Sequence, residues 1–274
     1  MLKRTFELRF PPLRKAPKRT LCVIVDEIVK NRKILKMKTA IIIGATSGIG
    51  KELAKLLTEN GYLVGITGRR IELLSEIEKE NPKLYRIKNF DITEIEKIET
   101  KLTELTKEIG GIDLLIISSG IGDINVDLDF AIEKGTIETN VLGFTCVADW
   151  AFNYFEKQKF GHLVAISSIA GIRGSRQATS YNATKAYQIN YLEGLRQKAK
   201  NLKMKIFVTD IRPGFVNTEM AKGEGLFWVA SVEKASKQIY NAISKKRKIV
   251  YVTKRWGIIA TILKRIPNFI YDKM

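Results

Sequence analysis

From Thr39 onward the hydrophobic positions alternate between short apolar runs and longer stretches with apolar residues at helical spacing. The short runs TAIII, LVGIT, LYRIKN, DLLIIS, HLVAIS, KIFVTDI and KIVYVT are rich in β-branched residues and read as strands. Between them lie GKELAKLLTEN, IELLSEIEKEN, TEIEKIETKLTELTKEI, the stretch from Ala131 to Gln158, SYNATKAYQINYLEGLRQKAKN and SVEKASKQIYNAIS, each with a helical apolar stripe. Gly61 after Asn60 is placed to end a helix, and Ser231 before VEK to begin one. Strand and helix in repeated alternation predict an α/β fold with a doubly wound parallel sheet of about seven strands and helices on both faces.

The first 36 residues break the pattern. They hold 11 Lys/Arg against three Asp/Glu, and so eight of the eighteen net positive charges of the 274-residue chain. Their longest apolar run, Leu21 to Val25, is too short for a signal peptide or a membrane span. Because Met37 directly precedes the first strand, 1–36 reads as a basic extension outside the natural protein or as a loose arm. An Arg-rich transit peptide is the rival reading, against which Glu7, Asp26 and Glu27 count. The rest of the basic excess is scattered among Glu-rich helices without a basic-aromatic stripe, so no nucleic-acid partner is expected. Two cysteines, Cys22 and Cys146, and one histidine exclude a disulfide framework and a zinc site, and a reducing cytoplasm is the expected location. His162, at the start of an apolar run, reads as a strand-edge residue and not as a catalytic base.

The candidate chemistry starts where the first strand runs into GATSGIG, Gly44 to Gly50, ahead of a helix. Glycines allow a sharp turn and close approach of a ligand, and the N–H groups of the helix start favour a pyrophosphate, although such a turn also occurs without a ligand. The spacing lacks the Gly-Lys-Ser/Thr of a triphosphate-binding loop, which favours a dinucleotide. At the end of the second strand, Arg69 and Arg70 stand where an acidic residue would select NAD and an arginine would accommodate the 2′-phosphate of NADP; the plain alternative is that they cap the strand end. Asp91 either meets the adenine or caps the next helix. Ser168 ends the fifth strand at the carboxyl edge of the sheet, where open α/β folds bind ligands. Thirteen residues on, Tyr181 and Lys185 lie four apart on a helix, which brings a phenol and an ammonium to one site. A nearby ammonium stabilises a phenolate, so Lys185 is expected to lower the pKa of Tyr181.

Taken in order, GATSGIG, NVLG, ISS thirteen before YNATK, and RPGFVNT resemble a classical short-chain dehydrogenase/reductase across about Met37 to Thr253. The resemblance implies a Rossmann-type sheet and a catalytic tetrad of Asn140, Ser168, Tyr181 and Lys185. It implies that Gly44, Gly48, Ile49 and Gly50 hold the pyrophosphate, that Ser47 also binds the cofactor, and that Asp91 and Ile92 bracket the adenine. Ser119 and Gly120 would line the cofactor, and Pro213, Gly214, Val216 and Thr218 would touch its nicotinamide end. In this family Lys185 would also grip the nicotinamide ribose, Ser168 would bond the substrate oxygen, and Asn140 would hold a water that continues a proton relay. Two departures stand out: Ile43 replaces the usual Thr before the first glycine, and ISSG, from Ile117 to Gly120, replaces Asn-Asn-Ala-Gly.

The activity expected is NADPH-dependent reduction of a ketone or aldehyde to an alcohol, with NAD(H) as the possible alternative cofactor and no metal. A non-catalytic NADP-binding sensor or scaffold on the same fold is the rival. Phe227 and Trp228, in EMAKGEGLFWVA, form either an apolar wall of the substrate site or a contact with the next helix. Residues 254–274 carry Trp256, Ile259, Leu263 and Ile266 at near-helical spacing between basic pairs. This tail is expected to cover the substrate pocket or a subunit contact, with peripheral contact to an anionic membrane as the alternative. A homodimer or homotetramer built on the helices of Asn140 and Tyr181 is what the resemblance implies.

Overall fold

The structure, a computed structural model, describes residues 37–221 and 227–273. The arm 1–36 with Cys22, and residues 222–226 at the centre of the substrate segment, lie outside the described residues.

Seven strands form one parallel sheet: β1 (Lys38–Ile43), β2 (Tyr62–Gly68), β3 (Tyr85–Asn89), β4 (Leu114–Ile117), β5 (Phe160–Ile166), β6 (Lys205–Pro213) and β7 (Ile249–Val252). Their order is β3-β2-β1-β4-β5-β6-β7. The chain winds outward one way from β1 through β3, then returns to β4 and winds the other way. The loops that leave β1 and β4 therefore diverge and open a crevice at the carboxyl edge.

Alternation within the strands explains why they are apolar throughout. Ile41, Ile43, Leu115, Ile117 and Leu163 face one side, against α3 (Ile95–Ile109), α5 (Phe144–Gln158) and α6 (Thr179–Asn201). Ala40, Ile42, Leu114, Ile116 and Val164 face the other, against α1 (Gly48–Glu59), α2 (Ile71–Glu80) and α7 (Val232–Ser244). Gly61 follows the C-cap of α1 with a φ of 78°, and the Ser231 hydroxyl accepts the Lys234 N–H at 3.2 Å at the start of α7.

The stretch read as one helix from Ala131 to Gln158 has a break. α4 (Phe130–Ile137) passes into a π turn (Glu138–Gly143) before α5 begins. The N–H of Phe144 reaches back to the carbonyl of Thr139, five residues away, so the helix is widened at Asn140. His162 also differs from the strand-edge reading. It is the third residue of β5, paired with Leu114 and Phe207 on either side, and its Nε2 lies 2.8 Å from the Thr209 hydroxyl. Burial holds its imidazole down at about 4, so it is a neutral core group.

After β7 the chain forms α8 (Trp256–Arg265) and the short α9 (Asn268–Tyr271), interrupted at Pro267. Trp256 and Ala260 are buried and Ile259, Leu263 and Ile266 half-buried, so the predicted stripe is the face that packs. The described residues from Lys38 onward form one compact unit. No helix among the described residues is long and apolar enough to cross a membrane.

Candidate active site

The loops at the carboxyl edge enclose a cleft of about 1010 Å³. Its floor is the glycine turn. Gly44 has a φ of 84°, and a side chain there would bring its Cβ within 2.7 Å of the Ser119 nitrogen. Gly48 opens α1 at a φ of 55°. Ser47 caps that helix by position but not with its side chain, and the first turn carries no acidic residue. The helix start is thereby left suited to an anion. Gly44, Ser47, Gly48 and Ile49 line the cleft, whereas Gly50 does not: a Cβ there would fall 2.0 Å from the Gly44 carbonyl oxygen. Its role is close packing of the helix beneath the loop, which corrects the expectation that it holds the ligand directly.

At the end of β2 the two arginines differ. Arg70 crosses to the glycine turn, donating through Nη2 to the hydroxyls of Thr46 at 2.9 Å and Ser47 at 3.1 Å. Arg69 lies 3.5 Å from Asp91, and its main-chain carbonyl accepts from the Asn89 amide at 2.8 Å. Asp91 is not the cap of α3, since Glu94 holds that position; its carboxylate accepts the Thr93 N–H at 3.0 Å. Asp91 and Ile92 both line the cleft.

On the facing side, the N–H groups of Ser118 and Ser119 donate to the Ile43 carbonyl at 2.8 and 2.9 Å, so the altered ISSG segment still ties β4 to β1. Ile43 and Ile117, which replace polar residues of the family pattern, are buried in the core. Ser119 and Gly120 line the cleft, and the buried Ser119 hydroxyl has no hydrogen-bond partner. A cleft with close-approach glycines, an uncapped helix start and an unpartnered hydroxyl fits a dinucleotide.

Ser168, Tyr181 and Lys185 line the same cleft, as do Pro213, Gly214, Val216 and Thr218. Ser168 is the N-cap of a 3₁₀ turn (Ile169–Ile172), and its Oγ accepts the Ala170 N–H at 3.1 Å. Burial pushes the Tyr181 phenol up, and the Ser168 hydroxyl works against that shift. The expected lowering of Tyr181 by Lys185 is thus not what the fold alone produces: desolvation dominates, and the opposing influence is the Ser168 hydrogen bond. Burial pulls the Lys185 ammonium down to about 8, with the Asp210 carboxylate opposing the change. Lys185 Nζ sits 5.7 Å from the centre of the Tyr181 ring and donates to the Ile166 carbonyl at 3.1 Å and to Gln188 Oε1 at 3.0 Å.

Asn140 does not face the cleft. It is fully buried, its amide accepting the Ile121 N–H at 3.0 Å and donating to the Ile121 carbonyl at 2.7 Å and the Thr184 hydroxyl at 3.1 Å. It braces the β4 loop against α6. Its main-chain carbonyl accepts the Gln188 amide at 2.9 Å.

The cleft also has an apolar lining of Ile121, Phe215, Met220, Trp256 and Leu263, beside the polar Asp123, Arg173, Ser175 and Asn182. The Gly214 backbone lies so close to the Trp256 indole that a Cβ would be 2.0 Å from it. Phe227 and Trp228 pack edge-on and tilted against Phe215 and Trp256, so they belong to the aromatic cluster around Trp256 and are not among the residues that line the cleft. Arg173 fastens the tail by donating to the carbonyl of Ile266 at 3.0 Å and to Asn268 Oδ1 at 3.0 Å, and its guanidinium lies 4.1 Å over the Tyr271 ring.

Sequence reasoning missed Thr46, Gly122, Arg173, Gln188 and Tyr271. Thr46 sits inside the glycine motif, and Gln188 lies one helical turn beyond Lys185, so for these two the local spacing held a signal.

A seven-stranded sheet with a glycine turn, a Tyr-Lys pair and a switch-point cleft defines a dinucleotide-dependent oxidoreductase fold. A family profile described as short chain dehydrogenase matches residues 38–226. An uncharacterised oxidoreductase of Myxococcus xanthus is 31% identical over 191 residues, covering 68% of this chain and 75% of that protein. One from Mycobacterium tuberculosis is 32% identical over 189 residues, covering 66% and 74%. Among solved structures, a short chain dehydrogenase from Burkholderia cenocepacia in complex with NADP superposes with a TM-score of 0.75 at 21% identity, covering 87% of this chain and 97% of that one. A Burkholderia phymatum short chain dehydrogenase/reductase in complex with NAD gives a TM-score of 0.74 at 17% identity, covering 83% and 92%. The chain belongs to the short-chain dehydrogenase family, oxidoreductases that act between CH–OH and C=O groups with a nicotinamide cofactor.

Proposed function

We propose that the protein is an NADPH-dependent reductase of a ketone or aldehyde, with Tyr181 as the proton donor. The observation that carries the reading is that Ser168, Tyr181 and Lys185 line the same cleft as the glycine turn. When bound, NADPH supplies the hydride. In this reading Ser168 hydrogen-bonds the substrate oxygen, and Tyr181 gives it a proton. A phenol held protonated by burial suits the reductive direction, in which the acid form is the one required. Lys185 places a positive charge beside the phenolate left behind. The apolar wall of Phe215, Met220, Trp256 and Leu263 fits a substrate with a hydrophobic body.

Preference for NADPH is read from Arg70. Its bonds to Thr46 and Ser47 gather a guanidinium and two hydroxyls at the end of β2, a set that suits a phosphate, and Arg69 lies beside it. The nearest carboxylate to Arg69, Asp91, is engaged with it. Of the two solved neighbours described above, one carries NADP and the other NAD, so the fold alone does not set the choice and it is read here from these side chains.

The test is a fluorescence titration of the protein and of Arg69→Ala and Arg70→Ala with NADPH and NADH. Removal of a charge-assisted phosphate contact is expected to weaken NADPH binding by about 10- to 100-fold and NADH binding by less than about threefold. Equal losses for both cofactors overturn the preference. Tyr181→Phe is expected to bind NADPH normally and to abolish turnover across a panel of carbonyl compounds; undiminished turnover overturns the assignment of the proton donor.

A further inference from the structure

Gln188 is buried, as is Lys185, and the two lie three residues apart on α6, where side chains meet. Lysine offers only donors, so the amide must present its oxygen to Nζ, and does so at 3.0 Å. The amide nitrogen is then committed to an acceptor. It finds the main-chain carbonyl of Asn140 at 2.9 Å. The amide orientation is fixed by these two partners together.

The Asn140 carbonyl is available because of the π turn. In a regular α-helix its partner would be the Phe144 N–H, which here goes back to Thr139. Gln188 thus satisfies a carbonyl released by the helix defect and an ammonium buried beside it. Ile166 takes a second N–H of Lys185, which leaves the third for the cleft that Lys185 lines.

We propose that Gln188 is a positioning residue for the proton-transfer pair, its side-chain amide tying the Lys185 ammonium to the π turn that carries Asn140. The proposal rests on the reading of Tyr181 and Lys185 as that pair. An apolar side chain at 188 would leave both the ammonium and the Asn140 carbonyl short of a partner in a buried site. The amide holds Nζ at one place without titrating, so the charge that faces Tyr181 is set by Lys185 alone. The charged or titratable groups around Lys185 are Tyr181 on its own helix and Asp210 on β6, the latter bound to Arg212 and felt also by Arg196. Its contacts from β5 and the β4 loop, the Ile166 carbonyl and Gly120, are neutral, as is Asn140 in the π turn.

The experiment is a pH titration of the full chain labelled with 13Cε-lysine and followed by NMR, the Lys185 signal being assigned with Lys185→Arg. Wild type is compared with Gln188→Met, which keeps length and removes both hydrogen bonds, and with Gln188→Glu, which keeps an acceptor and adds a negative charge. A hydrogen bond to the charged form favours it, so Gln188→Met is expected to lower the Lys185 midpoint by about one pH unit or more, and Gln188→Glu to raise it. A midpoint in Gln188→Met within about 0.3 unit of wild type overturns the proposal, whatever the melting temperature does. Should Gln188→Met not fold, an unmoved midpoint in Gln188→Glu does the same. In parallel, the pH profile of carbonyl reduction is expected to move with the lysine midpoint. A profile that stays put while the midpoint moves also rejects a role in positioning. Absence of turnover in wild type counts against the reductase reading alone, and the lysine titration still decides the role of Gln188.

Discussion

Asp210 and Arg212 lie two residues apart on β6 and share one face of it, buried beneath the cleft. Arg212 donates from Nε and Nη2 to the same Asp210 oxygen, both at 2.7 Å. The other oxygen accepts the Ser167 hydroxyl at 2.5 Å, and Arg212 Nη1 reaches the Tyr251 hydroxyl at 3.1 Å. Replacing Asp210 by Leu leaves a guanidinium in the core without its counter-charge, a change that costs about 3–5 kcal/mol. In a domain of this size each kcal/mol shifts the midpoint of thermal unfolding by about 2–4 °C, so a fall of roughly 6–20 °C is expected. The paired variant Asp210→Leu/Arg212→Met removes both charges and their desolvation together, and is expected to recover most of the loss. Thermal melts of the four proteins in the cycle measure the coupling, which should exceed about 2 kcal/mol. A single variant that melts within about 3 °C of wild type refutes the reasoning. So does a double variant whose loss equals the sum of the singles, since that would mean the two side chains are energetically independent despite their contact.

Two further substitutions probe the site and the core. A Cβ on Gly122 would lie 2.2 Å from Cδ2 of Tyr181, so Gly122→Ala must displace the ring. The expectation is a kcat lower by about 100-fold with NADPH affinity kept within about threefold, and a wild-type kcat rejects it. His162 has a folded-state pKa of about 4 against 6.5 when unfolded, so the unfolded chain binds more protons between those values. Its contribution is present above pH 6.5 and is lost as the pH falls toward 4, by on the order of 3 kcal/mol. Urea unfolding of wild type and His162→Gln at pH 7, 5.5 and 4 should show the wild type losing that much more, and parallel losses in the two proteins would remove His162 as the cause.

The strands were legible because both faces of the sheet are covered. Ile41 and Ile42 point to opposite cores and are both apolar, so the run itself marks the strand. The glycine turn and the Tyr181–Lys185 pair were legible because their geometry is local, fixed within a few residues by a turn or by helical spacing. The π turn was not, because inserting one residue shifts the apolar stripe by an amount that ordinary helical scatter also produces. Nor was the inward aim of Asn140, which depends on Ile121 and Thr184, 19 and 44 residues away. The position of the tail depends on Arg173, over 90 residues from the carbonyl it holds. Hydropathy reads which way a residue faces, and a buried polar side chain gives no such sign of its partner.

Those buried partners form a chain of contacts through the site. Arg212 holds Asp210; Asp210 accepts from Ser167, the neighbour of Ser168, and supports the charge of Lys185. Lys185 holds Gln188, Gln188 holds the Asn140 carbonyl, and the Asn140 side chain holds the loop at Ile121, one residue before the glycine that abuts Tyr181. Each member is satisfied by the next, and a break exposes an unpaired group in a dry interior, so a substitution here registers in stability and in the chemistry alike. Arg69 and Arg70, by contrast, stand at the exposed rim of the cleft, where water replaces any lost partner. Their loss should register in cofactor binding and leave the melting temperature nearly unchanged. That separation follows from where the charges sit: the groups proposed to select the cofactor are at the surface, and the groups proposed to aim the proton donor are part of the core.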